Sequence, residues 1–74
     1  MDSVDRWEYC QVRYAADGVW MAMPGAAWTG SQDAVVDVLN TLGQQGWELV
    51  CGIQVPAASV YVLAVDYTLK RRLT

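Results

Sequence analysis

Hydrophobic and polar positions change period three times along this chain. From Arg6 to Ala15, Trp7, Tyr9, Cys10, Val12 and Tyr14 are interleaved with polar residues, which predicts a strand over 6–15. Asp17-Gly18 is a hairpin signal, because both residues tolerate positive φ. Val19 to Met23 is the expected return strand, stopped by Pro24-Gly25. Ala26 to Gly30 reads as a loop. The period then becomes helical: Val35, Val38, Leu39 and Leu42 form one apolar stripe within a helix over 31–44. Thr29 with Gln32 fits a capping box and Ser31 a simple N-cap, while Asp33 suits the positive end of the helix dipole. Gly46 is the expected C′ residue, with Trp47 as C″ over the last turn. A strand over 47–54 follows, with Trp47, Leu49, Cys51 and Ile53 on one face and Glu48, Val50, Gly52 and Gln54 on the other. After Pro56 a last strand is expected over 60–70.

The predicted order is β-β-α-β-β in a single domain over 1–74. This is an α+β fold: one mostly antiparallel four-stranded sheet with a single helix packed on one face. The strand order stays open. One helix covers only part of such a sheet. Trp47, Leu49, Ile53 and the aliphatic side of the last strand are expected beneath it. Val12, Tyr14, Val50, Val60, Val62 and Ala64 are then left on the other face, and contiguous apolar surface of that kind marks an interface. A homo-oligomer is therefore expected, since a chain of 74 residues has little core of its own. Trp20 and Trp28, flanking the Met- and Pro-containing loop, join the candidate interface residues; a lid over the core is their plainer role.

Composition narrows the chemistry. Histidine is absent, which removes Ser-His-Asp and Cys-His catalysis and imidazole-dependent zinc sites. Two cysteines cannot form a four-thiolate zinc site. No metal, cofactor or catalytic residue is expected, and the chain does not read as an enzyme. A net charge of −3 argues against nucleic acid as a partner. The longest apolar run, Val60 to Val65, is far below the roughly 20 residues that span a bilayer, so no membrane is expected. With no secretory signal at the start, a cytoplasmic place is expected, with Cys10 and Cys51 as free thiols unless their strands are neighbours and a disulfide joins them. Cys51 reads as a buried small hydrophobe and Cys10 as the thiol nearer an exposed face.

Three segments resemble a known family. They are Trp7-Glu8-Tyr9, the run Leu39-Asn40-Thr41-Leu42-Gly43-Gln44-Gln45-Gly46-Trp47-Glu48-Leu49-Val50, and Tyr67-Thr68-Leu69-Lys70-Arg71. Together they resemble the small bacterial and phage family called domain of unknown function 4177. The resemblance spans nearly the whole chain, and its central segment is the specific part. It implies a compact α+β domain and no activity, because the family carries no established catalytic residues. The stretch Met23 to Gly30 departs from the shortest members.

Two constellations remain. Glu8 and Glu48 suit acid-base work only if their strands are adjacent; pairing with neighbouring cations is the plainer role. The five cations cluster near the two ends of the chain, and Arg13, Lys70 and Arg71 with Tyr9 and Glu48 are candidate residues for a small anionic, nucleotide-like ligand. Ordinary pairing with Glu8, Asp5 and Asp66 again competes. Two functions follow: a non-catalytic assembly domain whose partner is itself or another protein, or a ligand binder with its site at a subunit interface.

Overall fold

The structure, a computed structural model, describes residues 5–56 and 63–73. Five strands and one helix follow in the order β1 (Arg6–Ala15), β2 (Gly18–Ala22), β3 (Thr29–Ser31), α1 (Val35–Gln44), β4 (Glu48–Pro56) and β5 (Leu63–Leu73). They build a single antiparallel sheet in the order β3-β2-β1-β5-β4, with α1 on one face. The α+β class with one helix and an antiparallel sheet is as expected. The number of strands is not: Thr29–Ser31, expected as loop and cap, pairs with Val19–Met21 as a fifth strand. Gly30 makes this possible. The Trp20 ring lies 3.2 Å from where a Cβ on Gly30 would stand, so glycine lets the ring lie close without having to shift. The part of the last strand expected over 60–62, with Val60 and Val62, lies outside the described residues.

The hairpin turn sits one residue earlier than expected. Ala15 pairs with Gly18, so Ala16 and Asp17 form the turn. Neither takes positive φ; Gly18 does, at 135°. The helix is also shorter at its start. It begins at Val35 behind Ala34, which offers no side-chain cap. Thr29 is committed to β3, and Ser31 Oγ instead accepts the Asp33 backbone N–H at 3.1 Å, closing a local turn.

The helix end follows the expected chemistry. Gly46 has φ +94°, its N–H donates to the Gly43 carbonyl, and the Trp47 N–H donates to the Leu42 carbonyl, each at 3.0 Å. That pair of bonds is a Schellman motif, which needs the left-handed residue that glycine supplies. It turns the chain so that Trp47 is buried in the core cluster.

Register assigns the faces, because directly opposed residues of antiparallel strands point to the same side. Cys10 opposes Leu69, and Val12 opposes both Tyr67 and Met21. These residues join Val19, Val38, Leu42 and Trp47 in the core under α1. Val12, expected on the uncovered face, is thus fully buried beneath the helix. Ala64 is buried as well rather than left over as surface. The open face carries Trp7, Tyr9, Gln11 and Arg13 from β1.

A second correction lies in β4. Leu49 opposes Leu69, but Cys51 opposes Thr68, so Val50 is an extra residue in a bulge. One inserted residue exchanges the faces of everything beyond it. Gly52 and Gln54 therefore follow Leu49 on the helix side, while Cys51 and Ile53 follow Glu48 on the open face. Ile53, expected in the core, is 56% exposed.

Candidate functional site

The three segments that carry the family resemblance converge in space. Glu8 opposes Arg71 on the helix side of the sheet. Arg71 Nε donates to Glu8 Oε1 at 2.8 Å, and Nη2 donates to the same oxygen. Arg71 Nη1 donates to the Gln45 backbone carbonyl at 3.2 Å, and the guanidinium lies 4.4 Å from the centroid of the Trp47 ring. One side chain therefore ties β1, the helix end and the start of β4 to β5. Its positive charge meets the carbonyl end of the helix, where a cation is favoured. The Trp47 indole N–H is buried without a hydrogen-bond partner among the described residues. This cluster is a structural joint in which Glu8, the Gln45 carbonyl and the Trp47 ring all engage the Arg71 guanidinium.

The alternate residues of the same segments reach the open face. Tyr9 opposes Lys70, and Lys70 opposes Glu48, which makes one cross-strand row Tyr9–Lys70–Glu48. Lys70 Nζ lies 4.3 Å from the Trp7 ring centroid, and the Arg72 guanidinium approaches the same ring at 5.7 Å while pairing with Asp5 at 2.5 Å. Arg13, further along this face, holds Asp66 through two parallel bonds, Nε to Oδ1 at 2.7 Å and Nη2 to Oδ2 at 2.9 Å. The Trp28 ring lies 5.0 Å from the Arg13 guanidinium. Hydrogen bonds from Arg13 hold the Asp66 carboxyl below the usual carboxylate range and raise the Arg13 value in return.

Four of the five candidate ligand residues, Tyr9, Glu48, Lys70 and Arg13, thus share the open face, while Arg71 is on the other. Each of Arg13, Lys70, Arg71 and Arg72 lies over an indole. Three of the four tryptophans, Trp7, Trp28 and Trp47, are used in this way, indole being the strongest π partner for a cation. The pairing of rings with cations was not legible beforehand, because the partners are 15 or more residues apart in the chain.

Glu8 and Glu48 do not form an acid-base pair. Their strands are separated by β5, and the two carboxylates belong to opposite faces. The cysteines exchange their expected roles. Cys10 is buried and its thiol is pushed up to about 11, chiefly by burial, whereas Cys51 is exposed; both are free. Among the described residues there is no group of three His, Cys, Asp or Glu able to hold a metal, and no helix long and apolar enough to cross a membrane.

Of the candidate interface residues, Val12 is withdrawn into the core. Tyr14 and Trp28 are exposed, Trp20 is half-buried with its N–H on Asp17 at 3.3 Å, and Val50 is exposed in the bulge. Reasoning from the sequence missed a cavity of about 210 Å³ beside α1, walled by Met21, Met23, Val38 and Leu42. It is smaller than the roughly 300 Å³ at which drug-sized ligand sites begin.

No protein-family model and no curated protein matches the chain. The resemblance to domain of unknown function 4177 accordingly rests on its three segments alone.

Proposed function

We propose that the chain is a non-catalytic homo-oligomeric assembly domain, an accessory protein of a bacterium or phage working in the cytoplasm. The observation that carries this reading is the outer end of the sheet. Every residue from Glu48 to Gln54 is exposed, including Leu49 at 51%, Val50 at 50% and Ile53 at 56%. Sedimentation velocity at micromolar concentration tests the reading. A species of at least two subunits is expected, and a lone 8.2 kDa species overturns it.

A second reading, a binder of small anionic, nucleotide-like molecules, draws on the row Tyr9–Lys70–Glu48 beside Trp7. Lys70 forms no ion pair among the described residues, and Tyr9 is exposed for stacking. Quenching of tryptophan fluorescence by millimolar mononucleotides at low salt is its test, and an unchanged spectrum removes it.

A further inference from the structure

We infer that two copies of this chain join edge to edge along β4, antiparallel about a two-fold axis at Ile53, so that two five-stranded sheets become one sheet of ten strands. The inference rests on the assembly reading and names its surface.

The two outer strands of the sheet are β3 and β4. An outer strand presents unpaired backbone N–H and C=O groups along its free side, and proteins protect such edges by shortness, charge, proline or bulges. β3 is protected by its length of three residues. β4 is nine residues long, and its protective features sit only at its ends. The Val50 bulge and Glu48 stand on one side, and Pro56, which has no N–H to donate, stands on the other. Between them Cys51 to Val55 forms an uncharged window of regular strand opposite Ala64–Thr68. From Cys51 to Gln54 each residue in it is exposed.

This window is self-complementary. A two-fold interface places residue i of one copy against j of the other and j against i. Centring on Ile53 sets Ile53 against its own copy and Cys51 against Val55, all on the open face, with Gly52 against Gln54 on the helix side. Apolar meets apolar on the open face, and no charge meets its like. The two Glu48 carboxylates end up roughly 30 Å apart, well beyond the screening length of about 8 Å at physiological salt. The exposed Ile53 side chain, on the face opposite α1, then gains a cross-strand neighbour in its own copy. Strand addition also supplies main-chain hydrogen bonds. A peptide from another protein would need to match the same uncharged window, whereas a second copy matches it by symmetry.

The test uses the intact chain. Ile53→Cys in a Cys51→Ser background is oxidised in air at micromolar concentration and run on a non-reducing gel. Most of the chain is expected as a disulfide-linked dimer, while a Val36→Cys control on the exposed side of α1, in the same background, stays monomeric. In parallel, Ile53→Lys is expected to weaken the dimer at least tenfold by sedimentation equilibrium while its circular dichroism matches the parent. If that variant loses its fold, the cross-link alone decides. A parent dimer that survives Ile53→Lys unchanged, with no Ile53→Cys cross-link, overturns the edge pairing and leaves the assembly reading standing. A parent that remains monomeric at micromolar concentration overturns both.

Discussion

The middle of the sheet and its β4 flank are built from the same alternation of apolar and polar residues, yet only the middle is covered. On β1, Cys10 and Val12 are sealed under α1 with Leu69 of β5. On β4, Leu49, Val50 and Ile53 are about half exposed. Hydrophobicity does not separate the two regions; placement does, since Leu49 lies on an outer strand, Val50 in its bulge, and Ile53 on the face opposite α1.

The contrast can be broken most severely at the joint. Trp47→Ala is expected to cost about 3–5 kcal/mol of stability in urea unfolding, through the cavity and the loss of the platform under Arg71. Trp47→Phe keeps the ring and removes the unpaired N–H, so it should cost far less; an equal loss would show that the N–H has a partner. Leu69→Ala, in the covered region, should cost about 2–5 kcal/mol. Ile53→Ala, on the flank, should change the stability of the dilute chain by less than about 0.5 kcal/mol. Similar values for the two would erase the difference between the regions.

Smaller effects sharpen the picture. Gly52→Val puts a Cβ 3.0 Å from the Tyr67 ring, which must move, at a cost of about 1–3 kcal/mol. Quenching of Tyr67 order in side-chain nuclear magnetic resonance would report the shift. Asp66→Asn should cost about 1 kcal/mol at neutral pH, because Arg13 is partly exposed to solvent. The Asp66 carboxyl is held low in the folded state, so its contribution is complete above its unfolded value near 3.9 and is lost as pH falls through the lower folded value. The parent should therefore lose stability on acidification below that point more steeply than Asp66→Asn. Least in energy but simplest to read is thiol titration: Cys51 should react at once and Cys10, held at about 11 by burial, only after unfolding. Two fast thiols would mean that the covered region opens readily.

Much of the secondary structure was legible in local chemistry. The helical stripe Val35, Val38, Leu39 and Leu42 and the glycine stop at Gly46 act within a few residues, so composition and spacing suffice to find them. Thr29–Ser31 was misread because Thr and Ser serve both caps and strands, and only the pairing partner, Val19–Met21, decides between them. The faces of β4 were misread because a bulge leaves no mark on an apolar run such as Leu49-Val50-Cys51. The joint was visible in pieces: Glu8, Gly46, Trp47 and Arg71 each lie in a recognisable segment, but their meeting depends on β1 and β5 being neighbours.

The sequence by itself determined the α+β class, the helix and its glycine-dependent end, and the strands flanking it, since propensity, period and turn chemistry are local. Only the tertiary structure decided strand order, the side of the sheet each residue faces, and which cation rests on which indole. Those depend on register between segments distant in the chain, and a shift of one residue in register reverses every face at once.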